Sequence, residues 1–322
     1  MKKYIIILMS LPILGYSQGQ LPGMSQDIFD INGIKTSLGQ RGFMWDLDDA
    51  KFEVPKDGGI NSIFAHEYWM GGVDDGGQLR VAAMTYRQGG IDLWPGPVSP
   101  GNQSQLSFAT IFDRVWKINK TQIDSHINYS STVSYIIPEV IENWPAHGDT
   151  SMGQAFYLAP FVDVDNNGVY NPFLGDYPQI KGDQAFYIIR NDVGNIHSES
   201  QASPLGIEQH LMFYGYLCID NPAVNHALFV NMKIFNRGDY NINDFYIGTW
   251  LDVDLGYYLD DYVGCNVEKD LGFVYNGDTN DEGASGYSSS ACQSNTILPP
   301  PAQGLVYLNQ SMSKFMYFNN DG

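Results

Sequence analysis

"HALFVNMKIFNRG", His226 to Gly238, decides the fold. Leu228, Val230, Met232 and Ile234 fall on one face of an extended chain, and Phe229, Asn231, Lys233 and Phe235 on the other. That is the two-residue period of a strand. Asn236 and Gly238 then supply a turn. The same kind of phrase recurs in both directions: "SIFAHEYWM" (62–70), "QLRVAAMTYR" (78–87), "QAFYIIRND" (184–192), "QHLMFYGYLCID" (209–220), "DFYIGTWLDVD" (244–254), "GFVYNG" (272–277) and "GLVYL" (304–308). Each is short, rich in aromatic and β-branched residues, and flanked by Gly, Asn, Asp or Pro. The series predicts a mainly β protein, an antiparallel β-sandwich of jelly-roll-like form.

Helical phrasing is confined to a small insertion at about residues 104–150. "SFATIFDRVWKI" places Phe108, Ile111, Phe112, Val115 and Trp116 on one helical face. Thr121 with Asp124 reads as a cap opening a second short helix, and Pro138 opens a third that Pro145 stops. The rest of residues 18–322 reads as one sandwich-rich region.

The chain begins "MKKYIIILMSLPILGYSQG". Two lysines, an apolar run from Tyr4 to Leu14 and the small residues Gly15 and Ser17 have the order of a secretory signal peptide over residues 1–17. The run is too short to span a bilayer as a helix, which needs about 20 residues. The expected location is therefore secreted or on the outer cell surface, with no membrane-spanning segment. Losing Lys2 and Lys3 with the leader, and no acid, takes the formal charge from −19 to −21. Such a chain repels nucleic acid and anionic lipid. Apolar content of 43%, with 14% aromatic residues, is enough for a packed core rather than an acidic disordered tail.

"APFVDVDNNGVYNPFLGDYP" (159–178) carries the sharpest chemical signal. Counted from Asp163, a calcium loop wants oxygens at positions 1, 3, 5 and 9, a main-chain carbonyl at 7 and a bend at 6. Asp163, Asp165, Asn167, Val169 and Asn171 fill these places around Gly168. Position 12 is Leu174, so Asp176 is the acid left to complete the set. Pro172 forbids the exit helix of an EF-hand and places the loop between strands. The competing reading is an Asx-rich turn whose carboxylates bind their own backbone. Calcium is the cofactor expected here, in a weak extracellular site. Asp252, Asp254, Asp260 and Asp261 form a second acidic group, read as a second metal site, a carboxylate pair or a solvated rim. Of three cysteines, Cys265 and Cys292 are the local pair expected to form a disulfide, and Cys218 reads as a small buried hydrophobe.

These phrases carry a resemblance. "SIFAHEYWMGGVDDGGQLRVAAMTYRQGGIDLWPGP", "WPAHGD", "APFVDVDNNGVYNPFLGDYPQIKGDQ", "PLGIEQH", "NRGDYNINDFYIGTWLDVDLGYYLDDYVGC" and "LGFVYNGDTND" resemble exported surface proteins of Bacteroidota of the kind that carry a C-terminal type IX secretion sorting domain. The likeness runs over about residues 61–303. It implies export across the outer membrane and implies little about activity. The sorting domain itself is not present in this chain, so either the chain is a fragment or its export route differs.

No familiar catalytic signature is complete. His66-Glu67 opens like a zinc-protease motif, but Met70 stands where the second His belongs. Ser285 lacks the second flanking glycine of a nucleophile elbow. Glu208 and His210 share a strand face and could act on metal or proton, or form a polar pair at a sheet edge. Trp45, Trp69, Trp94, Trp116, Trp144 and Trp250 could build a sugar-stacking platform or fill a core. The expectation is a calcium-stabilised structural, adhesion or binding component meeting a glycan or another surface protein. The alternative is a polysaccharide-binding or polysaccharide-degrading protein.

Overall fold

Strand β13 (Gln184–Asn191) is buried at every residue, because layers cover both of its faces. In the computed structural model, which describes residues 25–46, 49–85, 90–100, 111–281, 285–287 and 300–318, β13 is central to the second of two main sheets. It pairs with β10 (Trp116–Asn119), β9 (Trp94–Pro95) and β14 (Ile207–Gly215), and β14 pairs in turn with β15 (Phe229–Asn236). The first sheet collects β1 (Gln26–Phe29), β2 (Lys35–Gly39), β3 (Gly42–Phe43), β6 (Phe52–Glu53), β7 (Ala65–Asp74), β8 (Leu79–Ala82) and β16 (Ile242–Asp252). A small ribbon of β4 (Trp45–Asp46) and β5 (Asp49–Ala50) stands beside it. These ladders are antiparallel, so the protein is mainly β with the sandwich expected from its alternating runs.

Between the two sheets, Phe29, Leu38, Phe43, Phe52 and Tyr68 meet Phe186, Ile188, Leu211 and Phe213 in one core cluster. Each such side chain contributes about 1.5–3 kcal/mol by leaving water. Leu228, Val230 and Met232 pack against the same cluster, the face predicted for them. On the far side of β13, Ala185, Tyr187 and Ile189 join Trp116, Ile118 and Met212 beneath Ile123 of the helix Lys120–Tyr129 and Ile141 of the short helix Glu139–Glu142. The helical insertion is thus a third layer. A third sheet of β17 (Asp261–Asn266), β18 (Leu271–Asn276) and β19 (Ala302–Val306) is associated with a small cluster of Ile60, Leu255, Val274 and Tyr287.

One expectation is corrected. The helix predicted through Trp116 ends at Phe112, and Trp116–Asn119 is strand β10, with Trp116 opposite Tyr187 and Ile118 opposite Ala185. Trp116 and Ile118 sit two residues apart, and pairing with β13 buries both on one face; a helix would separate them. The next helix begins at Lys120, where the Asn119 amide donates to Gln122 Oε1 (2.9 Å), two residues ahead of the expected Thr121–Asp124 cap. Residues 1–17 and 104–110 lie outside the described residues. Among the described residues no helix is long and apolar enough to cross a membrane.

Candidate metal centre

The acidic loop is the turn of a hairpin, joining β11 (Phe161–Val162) to β12 (Tyr177–Pro178). It is fastened to the helical layer. Phe161, Tyr170 and Tyr177 pack on that core, the Tyr170 hydroxyl donates to the Ile141 carbonyl (2.6 Å), and the Tyr170 amide donates to His147 Nε2 (2.8 Å). Asn166 (φ 60) and Gly168 (φ 81) turn the chain back on itself. That left-handed pair aims consecutive amides inward: Asp163 accepts from the Gly168 amide (2.7 Å) and the Asn167 amide (3.2 Å), and Asp165 accepts from Asn167 (3.2 Å). Asp176 is fully buried and takes the Val164 and Asn171 amides, one on each oxygen, both at 2.8 Å.

The result is convergence. One carboxylate oxygen from each of Asp163, Asp165 and Asp176 lies within 4.8 Å of the others. Oxygens bound to one calcium ion at about 2.4 Å stand at most about 4.8 Å apart, so the spacing fits a shared ion. Each oxygen has a lone pair to spare after accepting an amide. The Gly168 amide, first among its hydrogen bonds, holds the Asp163 carboxyl below its ordinary range. Among the described residues this is the group whose acidic side chains come together so closely. The other expected ligands serve the loop's backbone. Asn167 Oδ1 accepts from the Val169 amide (2.7 Å), and Asn171 Oδ1 accepts from the Phe173 amide (3.1 Å), capping the turn Pro172–Leu174. Val169 itself is exposed.

Two neighbours of this loop carried no local signal in the sequence. His147 accepts from Tyr170, as above. His126 lies on the inner face of helix Lys120–Tyr129, wholly out of water against the backbone of Asp176 and Pro172, and burial pushes its imidazole below the ordinary value.

The second acidic group gathers where β16 leads into β17. Asp252 sits in β16 opposite Ala65. Asp261 Oδ2 accepts the Leu255 amide (2.9 Å), and burial, with Asp260, Asp281 and Asp254 close by, pushes its carboxyl up to about 7. Asp281 is the unexpected member, fully buried and accepting the Tyr257 and Tyr287 amides. Gly256 (φ 77) passes so near that a Cβ there would strike the Asp281 carboxylate. Asp261 Oδ1 and Asn276 Oδ1, on residues opposite each other in the β17–β18 ladder, are buried with no donor among the described residues. Cys265 is an exposed free thiol on β17 and Cys218 a half-buried one, while Cys292 lies outside the described residues.

Glu208 and His210 do come together. His210 Nε2 meets Glu208 Oε1 at 3.0 Å, His210 Nδ1 meets the Tyr187 hydroxyl at 3.0 Å, and Arg237 and the Val98 amide also donate to Glu208. Burial works to raise the Glu208 carboxyl, but hydrogen bonds from His210 and Arg237 leave it below its ordinary value. All three of Glu208, His210 and Tyr187 are buried, and each of their side-chain polar atoms has a partner, which is what a structural network requires. The tryptophans form no exposed row: Trp94, Trp116 and Trp144 are buried and Trp45, Trp69 and Trp250 half-buried.

No family model, no curated protein and no solved structure matches this chain.

Proposed function

We propose that the chain is an exported, β-rich surface protein whose 163–176 hairpin loop binds a calcium ion, and that its role is structural, adhesive or ligand-binding. The observation that carries this reading is the convergence of Asp163, Asp165 and Asp176 on one point of a loop anchored to the helical layer. The strongly acidic composition supports a cation partner, and tryptophans that are buried or half-buried, with none fully exposed, support a module without a flat sugar-stacking platform. At millimolar calcium and a Kd near ~0.1 mM, the ion adds about 1.4 kcal/mol to stability. That is the reinforcement of a loop rather than a switch.

Thermal unfolding with excess calcium and with chelator tests the reading. A melting temperature higher in calcium, together with saturable terbium luminescence displaced by calcium, is the expected result. Identical melting in both conditions sinks it. Release of reducing sugar from plant or algal polysaccharides would move the assignment to the polysaccharide-degrading alternative.

A further inference from the structure

The third sheet has an inner and an outer face. Val274 packs with Ile60, Leu255 and Tyr287, so Phe273 and Tyr275, one residue to either side, point to the opposite face. Tyr262 stands opposite Tyr275 in the β17–β18 ladder and shares that outer face. Tyr262 is 58% exposed and Tyr275 44%, while Phe273 is half-buried.

The three rings form a row. The centroids of Phe273 and Tyr275 stand 6.0 Å apart, as do those of Tyr275 and Tyr262, and the tilts between neighbours are 37° and 28°. Glycine sets their attitude. Gly264 lies opposite Phe273, and a Cβ there would come within 2.7 Å of the Phe273 ring. At Gly277 a Cβ would come within 2.6 Å of the Tyr262 ring. Both rings therefore lie down over bare backbone and turn a face outward rather than an edge. An aromatic face carries the negative side of the ring's quadrupole.

The surroundings are acidic. From Asp252 to Ser313 the sequence holds nine acids, one lysine and no arginine, a formal charge of 1 − 9 = −8. Asp260 and Asp261 directly precede Tyr262, and Asp254 and Asp281 lie within electrostatic reach of Asp261. Ring faces in a negative field select a cation. Guanidinium suits them better than ammonium, because it is planar, stacks on rings and is more weakly hydrated. Alternate side chains of an extended peptide fall on one side about 6.6 Å apart, close to the pitch of the row.

We propose that the outer face of β17 and β18 docks an extended, arginine-bearing segment of a partner protein, its alternate arginines stacking on Tyr262, Tyr275 and Phe273. The surface uses none of the acidic hairpin and stands or falls apart from the calcium loop.

Calorimetric titration of the full chain, in chelator, with the end-blocked peptide RSRSR tests it, against KSKSK and the same peptide with citrulline for arginine. The arginine peptide is expected to bind saturably and to weaken as salt is added. The lysine peptide should bind at least threefold more weakly and the citrulline peptide at least tenfold. Tyr262→Ala/Tyr275→Ala should lower affinity for the arginine peptide at least tenfold. Should that variant not fold, Tyr262→Leu serves instead, with at least a threefold loss expected. No saturable binding, equal affinity for the arginine peptide and either control, or undiminished affinity in the tyrosine variants each overturns the proposal. Binding of cellohexaose that the tyrosine changes abolish, with no preference for arginine, overturns it too and assigns the row to a glycan.

Discussion

Arg190 and Glu67 form a two-pronged ion pair between the main sheets: Nη1 lies 2.9 Å from Oε2 and Nη2 2.8 Å from Oε1. Arg190 belongs to β13 and Glu67 to β7, and neither reaches water. The guanidinium also lies 4.9 Å from the Phe43 ring centre and bonds the Gln40 carbonyl and Gln209. Removing one partner strands a buried charge, so Glu67→Gln or Arg190→Met should each lower unfolding stability by about 3–5 kcal/mol. The double replacement Glu67→Leu/Arg190→Met should lose less than either single change. Urea denaturation measures all three; single changes below ~1 kcal/mol would show that the pair does not join the sheets energetically.

The hairpin loop separates binding from folding by residue. Asp165 is exposed and receives only Asn167, whereas Asp176 is buried and holds the loop's two ends through Val164 and Asn171. Asp165→Asn should remove the calcium-dependent rise in melting temperature while leaving the chelated protein within about 0.5 kcal/mol of wild type. Asp176→Ala should destabilise the chelated protein as well, by about 1–3 kcal/mol, because two amides lose their acceptor. Retention of the full calcium effect in Asp165→Asn would remove that residue from the ion's shell.

Asp261 gives the third sheet a pH dependence of definite sign. Its carboxyl is pushed up to about 7 in the folded chain, against about 3.9 in an unfolded one. Between those values the folded state keeps a proton that the unfolded state has released, so stability falls as pH rises through the window. Asp261→Asn keeps an acceptor for Leu255 and supplies a donor beside Asn276. It should be more stable than wild type by about 1 kcal/mol or more at pH 8 and show no such advantage at pH 4. Equal effects at both pH values would refute the charge argument. His126 acts in the opposite sense: its depressed imidazole favours the fold above about 6.5 and withdraws that support as acid protonates it.

How much of this was written locally in the chain depends on the range of the interaction. The stretch leading through strand β15 was legible because one face packs on the core: Leu228, Val230 and Met232, each half-buried, meet it and fix the two-residue period. The hairpin position of Asp163 and Asp165 was legible from Asx-Gly chemistry and from Pro172, all within a few residues. Trp116 was misread because its spacing with Phe112 and Val115 suits a helix, while the pull toward β13 comes from Tyr187, dozens of residues away. Arg190, Asp281 and His126 gave no signal of burial, and Glu67 stood out only as half of an incomplete zinc-protease motif. Their burial follows from partners brought together by sheet pairing, and nothing in the neighbouring residues distinguishes them from solvated polar positions.

The Tyr187–His210–Glu208 chain supplies a last expectation. Glu208 is held by Arg237 and the Val98 amide, so the His210 nitrogen facing it donates, and the other nitrogen shares a hydrogen bond with the Tyr187 hydroxyl, which also reaches the Leu158 carbonyl (3.4 Å). Burial pushes the Tyr187 phenol far up, which keeps its proton available to donate. Tyr187→Phe leaves His210 Nδ1 buried without a partner, and should reduce stability by about 1–3 kcal/mol in denaturant titration. His210→Phe, which removes the stranded nitrogen too, leaves Glu208 with its Arg237 and Val98 donors. Combined with Tyr187→Phe it should cost less than the sum of the two single changes, since the second loses a contact the first already broke. Strict additivity in that cycle would mean the tyrosine and histidine do not share a hydrogen bond in solution.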